Sequence, residues 1–522
     1  MNRDLARTAL FDRSRPWDVV VIGGGATGLG VALDAQTRGY RTLLLEQTDF
    51  AAATSSRSTK LIHGGVRYLP QGHLALVRQA LAERALLLRN APDLVRPQRF
   101  VIPVGSRWRG WYYRSGLAIY DALARLPRRS TGAGEALPHS RRMSVAELSR
   151  ALPDLAVEGR SGAVAFFDAR FDDAALALRL ADRFVAAGGT ALNYARVARL
   201  LHAQGQVTGV LVRDLEVGDE TEATARAVVN ATGVFSDQLR RLDDPGAHPR
   251  LVSSRGSHLV IASVFSGSED ALLLPETPDG RVLFAIPWMG RTLVGTTEIA
   301  VETVDADPHP TSEEIEFLLA QISAVARRNI TRADITSVFS GLRPLLRDTG
   351  RGAGGDAAAP DRMGGGAAAR STRALSREHA IEVSATGLVT IAGGKWTTYR
   401  LMAEQTVDRA ATVGGLPSRP CRTAHLRLDP IFTPVVAIPE ISTGWDPSTI
   451  EASVRHAVRH QMARTVEDVL ARRIRLLFVD AGAARIAAEP VARWMAEELG
   501  RDRAWVQMQL ASFSKLCDRY LP

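Results

Sequence analysis

The sequence predicts an α/β protein. It combines a Rossmann-like domain built from separated stretches, an antiparallel-sheet domain and a C-terminal helical domain. Three observations carry this. Residues 19–46 run strand, glycines, helix, strand, acid. Apolar and polar residues alternate through 250–300. Apolar residues recur at helical spacing from 448 to 522.

The first element is the most informative. The strand VVVI, 19–22, runs into Gly23, Gly25 and Gly28 at G-x-G-x-x-G spacing. The first glycine permits a tight turn. The second lets backbone approach a pyrophosphate, and the third lets the helix pack on the strand. A helix is expected over 26–38 and stops at Gly39. A second strand, 41–45, ends at Glu46. A carboxylate about 20 residues past the glycines binds the ribose hydroxyls of an adenosine. The plainer reading, a Gly-rich turn in an ordinary βαβ unit, leaves Glu46 without a role.

Composition narrows the classes. A chain of 522 residues, 46% hydrophobic, holds two or three domains. No apolar run approaches the ~18 residues that span a bilayer. Residues 1–16 carry arginines but no signal-peptide core, and read as a loose leader. The expected location is cytoplasmic, peripheral on the inner face of the cell membrane. Cys421 and Cys517 stand alone, which argues against a disulfide framework or a structural zinc. The net charge of +9 comes from scattered arginines without a nucleic-acid motif. There are only three lysines, Lys60, Lys395 and Lys515, and two of them fall inside the motifs below.

Residues 50–68 read FAAATSSRSTKLIHGGVRY. Thr54, Ser55, Ser58 and Lys60 can bond phosphate and ribitol oxygens, and Gly64–Gly65 can pass close to a flat ring. An NAD domain has little use for such a stretch. A longer cofactor with a second anchoring point does, which favours FAD. Residues 73–90 form an amphipathic helix. In 106–126, Trp108, Trp111, Tyr112 and Tyr113 alternate with arginines before an apolar helical run. Such a mixture suits a membrane headgroup layer or, alternatively, an internal Arg–aromatic cluster.

A polar connector, 127–160, contains a helix at 145–151. Another helix is expected over 171–187. Short strands over 190–230 break at Gly205 and Gly218. They end in a buried strand, 228–231, closed by Ala231-Thr232-Gly233, a turn that re-approaches the dinucleotide in two-part folds. The alternating 250–300 stretch follows, then a helix over 311–328. A Gly/Ala-rich segment, 349–373, is too simple in composition to bury a core and is expected to be mobile. At 387–410 a strand runs into Gly393–Gly394. A helix starts at Thr397 or Thr398, whose hydroxyls are good N-caps. Its positive end points towards an anionic reduced flavin. A proline-rich linker from 416 leads to the helical tail.

The expected fold class is therefore α/β: a two-part FAD-binding Rossmann-like domain, an antiparallel-sheet substrate domain and a C-terminal helical domain. The leader is 1–16. The FAD-binding parts are 17–105, 161–250 and 376–415. A substrate- or membrane-facing segment occupies 106–160 and the substrate domain 251–375. The linker and helical domain fill 416–522.

The stretches IGGGATGLGVALDAQTRG, TSSRSTKLIHGGVRYL, VVNATGVFSD, RGSHLVI, FAIPW, VGTTE, SGLRPL and GGKWTTYRLMA, with VEDVLARR in the tail, resemble the flavin-dependent glycerol-3-phosphate dehydrogenases of respiration. Two departures stand out: the length of 349–373 and the shortness of the 426–447 linker. The resemblance implies FAD as cofactor, glycerol 3-phosphate as substrate, quinone as acceptor and a peripheral membrane surface. Nucleic acid is not expected as a partner, and a homodimer is left open. It also implies that Arg343 and Lys395 face flavin and substrate. The expected substrate-binding set is Arg67, Tyr68, His258, Arg343, Arg377 and Lys395. His258 is the expected base, with His63 against the flavin, and Lys395 or Arg343 polarising the alkoxide. The cofactor set is Gly23, Gly25, Ala26, Thr27, Gly28, Glu46, Gln47, Thr54, Ser55, Ser58, Lys60, Leu61, His63, Val197, Ala231, Thr232, Gly233, Gly394, Lys395, Thr397 and Thr398. Competing classes are an oxidase of the same fold, a basic flavoprotein that binds RNA through 107–114, and a regulatory protein that keeps FAD without turnover.

Overall fold

The computed structural model describes all residues except 127–136, 266, 278–280, 348–377 and 432–446. The Gly/Ala segment 349–373, Arg377 and much of the 426–447 linker therefore lie outside the described residues.

One sheet carries the nucleotide-binding pattern. Its order is His379–Val383, Val389–Gly393, Glu220–Asn230, Trp17–Ile22, Thr42–Leu45, Thr190–Leu192. Trp17–Ile22 lies at the centre, parallel to Thr42–Leu45 on one side and Glu220–Asn230 on the other. Both faces are covered, so Val19, Val20, Val21, Leu43 and Leu44 are fully buried, as a continuous apolar run predicts. Glu220–Asn230 serves two ladders. Its first half pairs antiparallel with Gln206–Asp214, and its second half enters the parallel sheet beside Trp17–Ile22.

The second sheet is largely antiparallel and holds the alternating segments. Leu251–Ala262 pairs with both Arg291–Gly295 and Ile335–Leu346, and Leu283–Trp288 extends the sheet. Its membership differs from the expected boundaries. Leu61–Ile62, Val95–Val104 and Gly162–Phe171, assigned above to the FAD-binding parts, are strands of this second sheet. Alternation within a strand identifies its faces but not the sheet it joins.

The tail forms its own helical domain with Pro447–Gln461, Ala481–Leu499 and Arg503–Tyr520. Its core of Val469, Leu477, Phe478, Val491 and Met495 continues onto Trp288 and Phe339 of the second sheet.

Local chemistry explains two further differences. The leader is not loose: Arg3–Phe11 is a helix whose Asn2 side chain accepts the Leu5 N–H. Ala6 and Leu10 enter the first core, and Arg3 pairs with Asp214 at 2.8 Å. The helix expected over 171–187 is Asp173–Ala186, because Phe171 still belongs to a strand and Asp172 caps the helix through the Ala175 N–H.

Candidate active site

The glycine loop is built by close approach. Gly23 has φ +108°, and a Cβ there would stand 2.6 Å from the Ala231 carbonyl oxygen. A Cβ at Gly28 would overlap the Gly23 carbonyl oxygen, so the helix Ala26–Thr37 can begin here only with glycine. The Ala231 N–H donates to the Ile22 carbonyl at 2.9 Å, setting the Ala231-Thr232-Gly233 turn beside the loop. Glu46 accepts the Gly24 N–H at 2.7 Å and the Thr48 N–H at 2.9 Å. Its carbonyl accepts the Ala195 N–H, which brings half-buried Val197 to the same edge. Gln47 is exposed and Thr27 half-buried in the first helical turn. A cradle that any Cβ would fill, a helix N-terminus and a carboxylate at the next strand end together fit the pyrophosphate and ribose of a dinucleotide.

The two flavin-side motifs meet in space. Trp396 Nε1 donates to the Ser55 carbonyl at 2.9 Å, and Ser55 Oγ accepts the Ala26 N–H at 2.9 Å. Thr397 Oγ1 lies 3.3 Å from both the N and the O of His63. The Lys395 ammonium sits 4.2 Å from the centre of the Tyr68 ring. Gly394 has φ +83°, and a Cβ there would overlap Met402 Sδ. Thr397 and Thr398 do not cap the helix Tyr399–Val413. Thr397 is spent on His63, and Thr398 bonds the Lys395 carbonyl at 3.3 Å. A 3₁₀ turn, Trp396–Thr398, precedes the helix and redirects both hydroxyls.

His258 and Arg343 share one face of the second sheet. Gly256 and His258 are alternate residues of Leu251–Ala262, and the Arg343 guanidinium occupies the space a Gly256 Cβ would take. Gly295 likewise leaves room for the His258 ring. Thr59 Oγ1 lies 2.9 Å from His258 Nε2, and the ring stacks on Phe339 at 4.8 Å. Nδ1 has no hydrogen-bond partner among the described residues. Burial, then the charges of Arg343 and Lys60, hold this imidazole well below its ordinary pKa, so it is neutral near pH 7. Arg343 Nη2 donates to Thr296 Oγ1 at 2.8 Å and Nη1 to the Thr297 carbonyl at 3.3 Å. Thr54 Oγ1 donates to the Leu342 carbonyl at 2.8 Å, so the 54–59 stretch lies against this face.

Not every expected residue points here. Lys60 is fully buried on the far side of its segment, with Nζ 2.7 Å from Asp173 Oδ2 and 2.8 Å from the Ser56 carbonyl. Burial brings its ammonium down to about 7 against the pull of Asp173. Ser58 Oγ also bonds Asp173, at 2.7 Å. Leu61 packs its side chain into the second sheet's core. Arg67 lies in the 3₁₀ turn Val66–Tyr68. Sequence order placed Ser58, Lys60 and Leu61 in the right neighbourhood but could not tell which way the turns of this segment aim each side chain.

A buried polar group behind the site went unpredicted. Glu314 accepts from Ser257 Oγ at 2.8 Å, Thr297 Oγ1 at 2.6 Å and Arg255 Nη2 at 2.8 Å. It therefore ties the 296–297 turn, which holds Arg343, to the strand carrying His258. The T-x-x-E capping box at Thr311–Glu314 was its only sequence signal.

Elsewhere, the helix Arg107–Arg125 turns three aromatics of its first turns outward, Trp108 at 79% exposed, Trp111 at 59% and Tyr112 at 58%, while Tyr120 is buried. This sets aside an internal aromatic cluster for these three side chains. Among the described residues, no helix is long and apolar enough to cross a membrane.

Comparison with known proteins agrees with this geometry. Residues 18–400 match the family described as FAD dependent oxidoreductase, and 442–506 match the C-terminal domain of alpha-glycerophosphate oxidase. Cradle, sheet order and family match define the class: this is a FAD-dependent oxidoreductase, with FAD as cofactor. The chain is 37% identical over 554 residues to a probable mitochondrial glycerol-3-phosphate dehydrogenase of Caenorhabditis elegans, covering 96% of this chain and 73% of that one. It is 33% identical to the mitochondrial glycerol-3-phosphate dehydrogenase of Homo sapiens, with 98% and 74% covered. The solved glycerol-3-phosphate dehydrogenase from Bacillus halodurans, complexed with FAD, superposes with a TM-score of 0.75 at 28% identity, covering 99% of this chain and 97% of that one. The chain belongs to the glycerol-3-phosphate dehydrogenase family.

Proposed function

We propose that this enzyme oxidises sn-glycerol 3-phosphate to dihydroxyacetone phosphate and passes the electrons to a membrane quinone. The observation that carries the reading is the shared face of His258 and Arg343 against the 54–59 stretch that also reaches the glycine cradle. When bound, FAD supplies the hydride acceptor, at N5.

This chain's residues do the rest. In the tautomer that carries its proton on Nε2, bonded to Thr59 Oγ1, His258 Nδ1 is left to take the C2 hydroxyl proton as hydride departs. Its low pKa keeps that lone pair available at neutral pH. Arg343, Lys395, Arg67 and Arg377, with Tyr68, hold the phosphate dianion, a task that suits the guanidinium fork. Arg343 or Lys395 also stabilises the developing alkoxide. Glu46 binds ribose. Ser55, Thr54, Gly394 and Thr397 position the remainder of the cofactor, with His63 against its ring system.

The quinone reading draws on the exposed Trp108, Trp111 and Tyr112 beside arginines, which suit a headgroup layer at the inner face of the membrane. Anaerobic turnover with a soluble quinone analogue tests it. Quinone reduction coupled to substrate oxidation is expected. Reoxidation by oxygen alone, with peroxide released, would contradict it and favour an oxidase. The match of 442–506 to an oxidase's C-terminal domain makes that the second reading.

A further inference from the structure

The segment 49–60 has two sides. One faces the cofactor cradle: Ser55 Oγ accepts the Ala26 N–H at the start of the glycine-loop helix, and the Ser55 carbonyl accepts Trp396 Nε1. The next residue turns away. The buried Ser56 carbonyl accepts from Lys60 Nζ and from Arg475 Nη2, at 2.8 and 3.1 Å. Arg475 belongs to the C-terminal helical domain, is 1% exposed and has its backbone at φ +68°, a left-handed conformation unfavourable to an L-residue. Its Nη2 also lies 3.0 Å from Asp173 Oδ1, the carboxylate that receives Lys60 and Ser58. The flat guanidinium is bounded by Phe478 at 4.6 Å and Trp288 at 5.6 Å.

The same domain holds this segment at two more points. Asp49 is gripped by Arg472 and Arg473 of the π-helical turn Asp468–Arg473. Arg57 Nη1 donates to the Tyr520 hydroxyl at 2.6 Å and pairs with Asp307 at 2.5 Å. These contacts are buried and charged, where a missing partner is most costly.

We propose that the C-terminal helical domain is a cofactor-holding device, and that Arg475 is its positioning residue: by fixing the Ser56 carbonyl and Asp173 it holds Ser55 at the pyrophosphate end of the FAD site. The inference rests on Ser55 lining FAD, as proposed above, and is independent of the substrate. It accounts for a fully buried arginine in a strained conformation, which packing of the helical domain alone does not require.

The test measures FAD binding in the full chain. Flavin is stripped, and the dissociation constant is read from flavin fluorescence on titration back. Arg475→Met and Arg475→Lys are compared with Val491→Ala, which lightens the helical domain's own core away from the segment. Arg475→Met is expected to raise the dissociation constant roughly tenfold or more, and Arg475→Lys less, because a point charge cannot reproduce the fork. Val491→Ala is expected to lower the melting temperature while leaving FAD affinity within about twofold of wild type. If Arg475→Met does not fold, Arg475→Lys decides by the same titration. FAD affinity unchanged in the Arg475 variants, or weakened equally by Val491→Ala, overturns the proposal. Tight FAD binding by the wild-type chain without oxidation of glycerol 3-phosphate would concern the substrate reading instead.

Discussion

At the scale of single residues, His258 is the most exacting part of the account. Its imidazole is buried, stacked on Phe339 and held neutral by desolvation and nearby cations. His258→Ala is expected to slow anaerobic flavin reduction by roughly 10²-fold or more, with substrate affinity changed far less. A defect mainly in affinity would move the base elsewhere. The depressed pKa also makes a stability statement. Below pH ~6.5 the unfolded chain takes up a proton at this histidine that the folded chain does not, so stability falls as pH falls, by up to about 1.4 kcal/mol per pH unit. The acid loss of melting temperature should therefore be smaller in His258→Gln than in wild type; equal losses would show that the ring protonates freely. Glu314 has a different role. Glu314→Gln weakens the brace behind Thr297 and should raise the KM for substrate more than it lowers the rate of flavin reduction, with FAD content unchanged. The sequence drew attention to His258 through a short motif within an alternating run, and to Arg343 through the resemblance carried by SGLRPL; the fold sets the two on one face. Lys60 was misplaced for the converse reason: the sequence shows the hydroxyls and the lysine in one line, whereas the chain there runs through a 3₁₀ turn, Thr54–Ser56, and a left-handed Lys60, which send Ser58 and Lys60 together to Asp173.

At the scale of elements, the glycine loop was the most legible. Spacing alone indicated the turn at Gly23 and the helix beside it, and both depend on contacts that a Cβ would destroy. Gly28→Ala should give a chain that does not retain flavin on purification; normal visible absorbance would contradict the cradle. The buried pair Lys60–Asp173 was not legible, since no local pattern links residues so far apart. Burial would raise the Asp173 pKa, but Lys60 and Arg475 outweigh it and keep the carboxylate ionised. Asp173→Asn leaves the Arg475 guanidinium buried without this counter-ion and lets Lys60 lose its proton, and should cost about 3–5 kcal/mol in denaturant unfolding. The helix Arg3–Phe11 was missed because it buries only two apolar residues, Ala6 and Leu10, beside the charged Arg3; tertiary contacts such as Arg3–Asp214 stabilise it.

At the scale of the whole molecule, three domain types were foreseen, but their seams were not. The second sheet takes Leu61–Ile62, Val95–Val104 and Gly162–Phe171 from stretches that read as parts of the nucleotide-binding domain. Contacts between distant strands decide such membership. The surface was clearer. Trp108 and Trp111 stand outward on one helix, and Trp108→Ser with Trp111→Ser should abolish co-flotation with anionic liposomes while leaving flavin reduction intact. Retained flotation would remove the membrane assignment. The central claim joins cofactor, substrate and site, and one anaerobic experiment addresses all three: record the visible spectrum of the purified holoenzyme, then add sn-glycerol 3-phosphate without an acceptor. The account predicts that the flavin band near ~450 nm bleaches. A flavin spectrum unchanged by saturating substrate would contradict it.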